Sequence, residues 1–545
     1  NIFHPAPDVL AASENLLGLQ PIASPVFWLS GNAALTYNVT VLLVVFLAAL
    51  CCFLAVRTWT GRASAGFLAG AAFALAPPVL ADWVRLHWSA VALFPLIAAL
   101  AWRAARRPRA LLLVALALLT AIQIAAGVYV AFALLLWVTA LAPALLLEAR
   151  ARGRSGIAVA AALGAGVLLA SPLALPYLRV RRLGGFPDLA SALEILRFTS
   201  AQPAALLAAI PRDLSWPVSA LAALALLGRK RPSRPLRLAI AGAGVLGFVL
   251  ACGTSLPGLY RTAMELVPGF ATIRGPERFF VLTILAGALL GGIGASDLLG
   301  RLRSRRVLKR EHAARVLIAA VLVLALWRAP AEPLRLSEVP RSGSFDAHRW
   351  LATHGDGGGL RELPVYRSPL ETGPLLVTGS AMVGSTLHWL SVVNGYSGHP
   401  PPSARLLRAI AGRLPAPDAF TDLCRLVRLR WILLHHDALP RRTVDWSTAL
   451  AALPLRPAAR FGPAQVFEVT QPCGAAEDRL RAELRGGRRG RTLGDVPLAP
   501  LAPEGLRGRV ELRAPARMAA GLAQVIEVEI PNQSDLAWPG QTPQS

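Results

Sequence analysis

The chain has almost no lysine and little negative charge. Lys230 and Lys309 are its two lysines, so nearly all of its 56 basic residues are arginines, against 31 acidic residues. The resulting net charge of +25 would suit a nucleic-acid partner. We exclude that class of protein, because the arginines lie in short loops between apolar stretches, where positive charge reports membrane topology. Hydrophobic residues make up 54% of the chain, which is too apolar for a soluble protein of 545 residues.

Motifs for nucleotide and metal binding are missing as well. The chain has no P-loop and no Rossmann glycine signature after a strand, so nothing indicates an ATPase. Its five cysteines have no metal-ligand spacing. Cys51, Cys52 and Cys252 lie in apolar stretches, where we expect them to act as small apolar fillers. Cys424 and Cys473 lie in the C-terminal part, where they either form a disulfide or remain free thiols.

Ten apolar stretches dominate the chain. A helix of about 20 residues crosses the bilayer core, and the candidates are about 36–56, 63–81, 87–102, 110–126, 128–147, 156–178, 214–228, 238–253, 278–299 and 314–328. The arginine-rich loops 57–62, 103–109, 148–155, 229–237 and 300–313 then share one side, which the positive-inside rule makes cytoplasmic. The loop 179–213 is the exception, since it carries five arginines on the other side. We therefore predict an α-helical polytopic protein of a bacterial inner membrane, with a transmembrane domain over 36–328.

The composition changes after Trp327. Residues 329–473 alternate between helical and strand patterns and predict a small extracytoplasmic α/β domain. Its predicted helices are Phe345–His354 and Pro417–Leu426, and its predicted strands are Leu360–Val365, Trp431–Leu434 and Ala464–Val469. Residues 474–500 are rich in arginine and glycine and predict a linker. Residues 501–545 hold two alternating runs, Gly508–Arg513 and Gln524–Ile530, which predict a short β-rich tail like the start of a β-sandwich.

Ionisable groups at a membrane rim are costly and are therefore functional candidates. Asp8 and Glu14 are the acids of the first loop, 1–35. Such a carboxylate can act as a general base toward a hydroxyl or hold a divalent cation, Mg²⁺ or Mn²⁺, that bridges phosphate oxygens. The structural alternative is a helix cap for Asp8 and a solvated acid for Glu14. Arg85 and His87 are close enough in sequence to bind one phosphate together, unless their neighbours only form an interfacial aromatic belt.

Two further groups of candidates follow along the chain. Arg274 and Arg278 flank Pro276, a residue typical of the first turn of a helix, so they predict an anion site. The alternative is a loop with an Arg–Glu pair. In the C-terminal domain, four residues could line a sugar site or belong to an ordinary loop with an Asn-Gly turn: His388, Trp389, Asn394 and Tyr396. His435 and His436 lack a third ligand at a recognisable spacing, so we predict no metal there.

Several of these stretches resemble one family. NIFHPAPDVLAASENLLG at 1–18 and PVFWLSGN at 25–32 resemble the first large extracytoplasmic loop of bacterial membrane glycosyltransferases of the GT-C type. RLHW at 85–88, SPLALPY at 171–177, RGPERF at 274–279 and STLHWLSVVNGYSGHPP at 385–401 are similar to the same group, some members of which are called YfhO-like. The resemblance covers roughly residues 1–470.

The resemblance implies an enzyme that takes a sugar from a polyprenyl-phosphate carrier and transfers it to a lipid, glycan or protein. It implies that Glu14, and then Asp8, lie on the acceptor or metal side. It also implies that Arg85, His87, Arg274 and Arg278 hold the carrier phosphate. In the family the principal acid usually follows a first transmembrane helix. That helix is absent from this sequence, and we expect it upstream of Asn1.

Two other classes of protein remain open. A transporter or flippase for a lipid-linked glycan would show related halves and charges at the membrane midplane. The sequence has no convincing internal repeat, and its ionisable groups lie at the ends of the apolar stretches. A non-catalytic membrane scaffold with a periplasmic binding domain predicts that replacing Glu14, Arg85 or His87 leaves a glycan phenotype unchanged.

Overall fold

The computed structural model describes most of the chain. The described residues are 1–81, 86, 89–149, 153–182, 192–193, 196–197, 199–228, 232–256, 258–267, 269–304, 319, 344–365, 372–439, 446–486, 492–493, 496–497, 511–513 and 527–529. They form two compact units. The helical unit comprises Glu14–Leu175 and Pro187–Leu336, and the α/β unit comprises Asn1–Ser13, Pro176–Phe186 and Ser337–Ser545.

The helical unit is built mainly from apolar helices. They are α1 (Gln20–Ser30), α2 (Ala33–Thr60), α3 (Ala63–Ala74), α4 (Pro77–Ala81), α5 (Phe94–Arg106), α6 (Ala110–Ala125), α7 (Val128–Ala149), α8 (Gly153–Ala170), the start of α9 (Ala174–Arg182), α10 (Pro203–Leu214), α11 (Trp216–Leu226), α12 (Arg234–Ala251), α13 (Leu259–Leu266) and α14 (Phe280–Ser304). Short 3₁₀ turns at Leu17–Leu19 and Pro276–Phe279 precede α1 and α14.

Five helical segments of the described chain are long and apolar enough to cross a membrane. They are Ala33–Thr60, Val128–Ala149, Gly153–Arg181, Arg234–Ala251 and Pro276–Leu302. Ala63–Ala74, Ala110–Ala125 and Trp216–Leu226 are shorter apolar helices at three more of the predicted stretches. The stretch 87–102 overlaps α5, whereas 314–328 lies outside the described residues except for position 319. Large side chains such as Leu42, Phe46 and Leu168 are exposed on these helices, as lipid-facing residues are.

The helix α14 forms the centre of the helical unit. It is almost entirely buried and packs against α3, α11 and α12. Glycines make this close approach possible: a methyl group at Gly292 would lie 2.7 Å from the carbonyl oxygen of Ala65, and one at Gly294 would overlap that of Leu221. The glycines at 291, 292 and 294 therefore serve helix packing.

A buried ion pair joins α12 to α14. Arg237 is fully buried, and its guanidinium group donates two hydrogen bonds to the carboxylate of Asp297. It also donates to the carbonyl oxygens of Ala225 (2.7 Å) and Pro232 (3.0 Å). The guanidinium group and the carboxylate therefore both have hydrogen-bond partners within the protein, as a buried ion pair requires.

The α/β unit contains a five-stranded sheet in the order β2-β1-β3-β5-β4. The strands are β1 (Gly359–Leu363), β2 (Ser391–Val392), β3 (Leu429–His435), β4 (Leu455–Phe461) and β5 (Ala464–Val469). The pairs of β1 with β2 and with β3 are parallel, and those of β5 with β3 and with β4 are antiparallel. Its helices are α15 (Ser344–His354), α16 (Thr372–His388), α17 (Pro402–Ala411), α18 (Pro417–Leu426), α19 (Trp446–Ala451) and α20 (Glu477–Gly486).

The first thirteen residues belong to the α/β unit rather than to a loop of the membrane domain. Asn1 and His4 make backbone hydrogen bonds with Val392 of β2, and Phe3 donates to the carbonyl oxygen of Asn394. Phe3 is buried there beside Ala404. The sequence analysis grouped residues 1–35 together, but the structure divides them between Ser13 and Glu14.

Two features of the C-terminal region differ from or extend the sequence analysis. Cys424 and Cys473 form a disulfide, which resolves the alternative left open above. Within the expected linker, Glu477–Gly486 forms a helix instead, because Leu480 and Leu484 enter the core of the α/β unit. Farther on, β6 (Thr492–Leu493) pairs with β7 (Val496–Pro497), and β8 (Glu511–Arg513) pairs with β9 (Glu527–Glu529), each in antiparallel fashion.

Candidate functional site

Glu14 lies at the N-terminus of α7 in the helical unit. Its carboxylate accepts hydrogen bonds from the backbone N–H groups of Val128 (2.5 Å) and Tyr129 (3.1 Å). These are two of the N–H groups that a helix start leaves without partners. Gly127 precedes them with φ 153°, and a side chain there would overlap the carboxylate. Glu14 is therefore a capping acid rather than the solvated acid of the structural alternative.

The environment of Glu14 suits a proton acceptor. Burial raises the pKa of Glu14, and the two backbone hydrogen bonds and the positive charge of Arg278 only partly offset that rise. A carboxylate has about four lone-pair positions, and the two described hydrogen bonds use two of them. A buried carboxylate with a raised pKa is a better base near neutral pH than a solvated one.

Arg278 lies close to this carboxylate, at the 3₁₀ turn that leads into α14. The hydroxyl of Tyr129 donates to the carbonyl oxygen of Arg278, which joins the start of α7 to this turn. The rings of Tyr129 and Phe279 lie 5.1 Å apart, and those of Phe279 and Phe270 are stacked at 5.8 Å. The Nε atom of Arg278 is buried and has no hydrogen-bond acceptor among the described residues. The structure thus brings Glu14 and Arg278 close together, next to the packed rings of Tyr129, Phe279 and Phe270.

The other residues of the Arg274–Arg278 loop are held compactly. The carbonyl oxygen of Arg274 accepts a hydrogen bond of 2.6 Å from the hydroxyl of Thr199. A methyl group at Gly275 would lie 2.8 Å from a carboxylate oxygen of Glu277 and 3.0 Å from the Nε atom of Arg278. The carboxylate of Glu277 and the guanidinium group of Arg278 therefore lie close together in this loop.

Of the remaining carrier and acid candidates, the structure describes Asp8. Arg85 and His87 are outside the described residues. Asp8 belongs to the α/β unit, where its carboxylate pairs with Arg179 at 3.1 Å. It occupies the N-cap position of the 3₁₀ turn Val9–Ala12, but its side chain makes no capping hydrogen bond. The structure therefore places Asp8 and Glu14 in different units and gives Glu14 the more buried setting.

The four predicted sugar-site residues all lie in the α/β unit. Trp389 and Tyr396 are 64% and 49% exposed. Asn394 is buried, and its amide group accepts from the N–H and donates to the carbonyl oxygen of Glu362, so it acts as a strand partner for β1. It also lines a small cavity with Arg361 and Arg408. His388 ends α16 and contacts a second histidine.

Three buried ionisable residues lie near His388: His348 and Glu362, which the sequence did not single out, and His435, which it singled out only as a possible metal ligand. His348 of α15 lies 3.3 Å from His388, between their Nδ1 and Nε2 atoms, and its own Nε2 lies 3.8 Å from Glu362. The Nε2 atom of His435 binds the other carboxylate oxygen of Glu362 at 2.8 Å. The sequence feature that could have identified this group is Glu362, because a glutamate inside a buried strand requires partners. No group of three His, Cys, Asp or Glu side chains in the described part of the chain is arranged to hold a metal ion.

Comparison with known proteins supports the fold. No protein-family model matches the chain, and no curated protein matches it. Among solved structures, a point variant of arabinofuranosyltransferase AftD from Mycobacteria matches with a TM-score of 0.51 and 17% sequence identity, over 83% of this chain and 36% of that one. A second class of that variant and the unmodified enzyme give TM-scores of 0.49 and 0.48 at 16% and 17% identity, each over 83% of this chain and 36% and 35% of theirs.

The first of these matches determines what the comparison shows. This chain spans about a third of the length of that arabinofuranosyltransferase. The likeness extends to the GT-C type of membrane fold and does not single out the YfhO-like group. The chain is therefore a mostly helical membrane protein of GT-C-like fold with a small sheet in its C-terminal region, which confirms the predicted fold class.

Proposed function

We propose that the protein is an integral membrane glycosyltransferase of the GT-C type, acting on a polyprenyl-phosphate-linked sugar. The acceptor in this proposal is an extracytoplasmic lipid, glycan or protein. The fold likeness to an arabinofuranosyltransferase supports this class of enzyme. The observation that carries the proposal is the buried Glu14 carboxylate beside Arg278, at the helix starts of α7 and α14.

The proposed chemistry assigns one role to each side of this site. The acceptor hydroxyl loses a proton as it attacks the sugar, and the carrier phosphate departs with increasing negative charge. Glu14 takes the proton, since its pKa is raised and its carboxylate keeps unused lone pairs. Arg278, together with Arg274, binds the phosphate by charge-assisted hydrogen bonds. Arg85 and His87 extend the phosphate site in this proposal, and Asp8 serves the acceptor side.

The α/β unit has the acceptor role in this proposal. Its exposed Trp389 and Tyr396 contact the glycan, whereas His388 and Asn394 shape the surface behind them. The Cys424–Cys473 disulfide supports an extracytoplasmic position for the unit, because disulfides persist in oxidising compartments. An inner-membrane location with this unit in the periplasm follows from the same proposal.

The test is sugar transfer by the full chain in liposomes. The donor is a radiolabelled polyprenyl-phosphate-linked arabinofuranose, assayed beside other polyprenyl-phosphate sugars, with an oligosaccharide acceptor. We expect Arg278→Ala to lower kcat/KM about a hundredfold, as loss of a charge-stabilising group typically does. Glu14→Gln should lower kcat and abolish the ionisation on the acidic side of the pH–rate profile. Arg261→Ala is the matched control, because Arg261 is exposed and pairs with Glu265 one helical turn away.

The outcomes separate the alternatives. Wild-type rates in Arg278→Ala would remove the phosphate role, and wild-type rates in Glu14→Gln would remove the base. A wild-type protein that binds these carriers and transfers none of their sugars would be a binding-only protein. Repeating the assay with a chelator tests the divalent cation, because a Mg²⁺- or Mn²⁺-dependent reaction stops when the ion is removed.

A further inference from the structure

Four ionisable side chains lie next to one another in the α/β unit, close to the end of α16. The N–H group of Leu390 donates to Nδ1 of His388 (3.0 Å), and Nε2 of His388 contacts Nδ1 of His348 (3.3 Å). The Nε2 atom of His348 lies 3.8 Å from one oxygen of Glu362, and the other oxygen binds His435 at 2.8 Å. We call His388, His348, Glu362 and His435 the histidine relay.

Hydrogen-bond logic assigns the protons of the relay. The Leu390 N–H group is a donor, so Nδ1 of His388 accepts and the ring proton lies on Nε2. That proton faces Nδ1 of His348, so the proton of His348 lies on Nε2 and points toward Glu362. Both rings are neutral in this arrangement. The backbone N–H group of Leu390 fixes the tautomer of His388, and the proton of His348 faces the carboxylate of Glu362 at 3.8 Å, which is an ion-pair distance and longer than a hydrogen bond.

The protonation of the relay agrees with its burial. Burial alone raises the pKa of Glu362, but His348 and the hydrogen bond from His435 outweigh it, so that pKa lies below its ordinary value. Burial and the neighbouring His348 lower the pKa of His388 to about 4. The relay therefore holds an ionised glutamate and a neutral His388 near neutral pH.

Charged groups on the adjoining elements are engaged in other contacts. The strands β4 and β5 also pack on α15 and carry Arg456 and Glu468, which pair with each other. The turn His436–Ala438 packs on α16, and its His436 contacts Gln465 at 3.0 Å while Asp437 follows it. Arg460 of β4 contacts the carbonyl oxygen of Gly462, and Arg361 lies next to Glu362 on the opposite face of β1.

The relay ends at a strained and exposed tryptophan. Trp389 has φ 54°, in the left-handed region, which is strained for a residue with a Cβ atom. Its N–H group donates to the carbonyl oxygen of Ser385, and the side chain of Asn1 donates to the carbonyl oxygens of Ser385 and Leu390. The backbone on both sides of Trp389 is thereby fixed while the indole ring stays exposed. A strained backbone conformation that several hydrogen bonds hold in place, next to an exposed side chain, indicates that this side chain has a function.

We infer that the histidine relay positions Trp389 as a platform on which a sugar ring of the glycan acceptor stacks, with Glu362, His348 and His388 as positioning residues. This inference rests on the proposed function for its choice of ligand. A sugar presents an apolar C–H face to an aromatic ring and hydroxyl groups to polar neighbours, and the exposed Asn1 and the half-buried Thr386 provide such neighbours here. Stacking needs a fixed ring orientation. A tryptophan that only rests in a lipid interface needs no such fixation, which favours the sugar over a membrane surface.

The test measures binding of a short arabinofuranose oligosaccharide to the full chain in nanodiscs by calorimetry. We expect Trp389→Ala to weaken binding about tenfold and Trp389→Phe to retain most of it. The control is His354→Ala, an exposed histidine on the same helix as His348. Wild-type affinity in Trp389→Ala would overturn the inference. Loss of oligosaccharide binding in the wild type, with Trp389-dependent binding to plain phospholipid vesicles instead, would overturn it in favour of a membrane surface.

The pH profile separates positioning from simple structural support. Protonation of His388 on Nδ1 turns an acceptor toward the Leu390 N–H group into a donor, so binding should fall as the pH decreases toward about 4. The charge of Glu362 raises the pKa of both His348 and His388, so Glu362→Gln should move that midpoint to lower pH. An unchanged midpoint would refute the relay. If the wild type transfers sugar and Trp389→Ala still binds the oligosaccharide normally, this inference is wrong and the proposed function stands. If oligosaccharide binding depends on Trp389 but the wild type transfers no sugar, the proposed function is wrong and this inference stands.

Discussion

Removing Asp297 should destabilise the helical unit strongly, because it leaves Arg237 buried without a counter-charge. Arg237 is 0% exposed, and its guanidinium group is bound to Asp297 and to two carbonyl oxygens. Breaking one partner of a buried pair costs about 3–5 kcal/mol. At about 2–3 °C per kcal/mol for a domain of this size, Asp297→Ala should lower Tm by about 10 °C.

The chain carries its own reporter for this measurement. Cys51, Cys52 and Cys252 are free and buried, whereas Cys424 and Cys473 form the disulfide. A thiol-reactive fluorophore added to the detergent-solubilised protein therefore becomes fluorescent as the helical unit opens on heating. The control is Glu265→Ala, which breaks an exposed pair with Arg261 and should change Tm by less than about 2 °C.

A double variant separates lost charge pairing from lost packing. Arg237→Met with Asp297→Leu removes both charges and keeps most of the buried volume, so its Tm should return to within about 5 °C of the wild type. The reasoning is refuted if Asp297→Ala melts like the wild type. It is refuted equally if the double variant melts as low as the single one, since uncompensated charge would then not be the cause.

Three other substitutions test features of the fold with the same kind of measurement. Glu14→Ala should lower the free energy of unfolding by about 1–2 kcal/mol, because α7 loses its cap. Asp8→Ala should lower it less, because the ion pair of Asp8 is worth less than about 1 kcal/mol. Equal effects of the two substitutions would contradict a capping role for Glu14. Gly294→Ala should lower Tm because its methyl group meets a carbonyl oxygen, whereas Gly242→Ala, with open space around it, should not. Cys424→Ser should destabilise the α/β unit by about 4 kcal/mol, the closure entropy of a loop with a sequence separation of 49, as checked by circular dichroism during denaturant unfolding.

Sequence periodicity predicted the elements whose pattern is local. Pro417–Leu426 and Ala464–Val469 have the predicted bounds, because a helix start at proline and a short alternating strand are both defined by neighbouring residues. The apolar stretches likewise predicted α2, α7 and α14 within a few residues. The break between the predicted stretches 110–126 and 128–147 is present as well, since Ala126 and Gly127 separate α6 from α7.

The candidate site depended on contacts between distant parts of the chain, which periodicity does not encode. The sequence singled out Glu14 and Arg278, but their proximity requires the packing of α7 against the turn before α14. It could not show that the amide group of Asn394 is occupied by the backbone of β1. Local patterns name residues that differ from their surroundings. They do not say which distant partner satisfies each one.

Glu477 shows how the N-terminal segment is held within the α/β unit. Its buried carboxylate accepts a hydrogen bond from the N–H group of Arg428 (2.5 Å), contacts Nε2 of His4 (3.2 Å) and pairs with Arg481. The carboxylate thus joins the first residues of the chain to α20, two segments that the sequence analysis treated as a membrane loop and a linker. A buried carboxylate is destabilising unless each of its partners is present. In the sequence, such polar residues are typical of loops. Once they are buried, their contacts specify which distant segments belong to one unit.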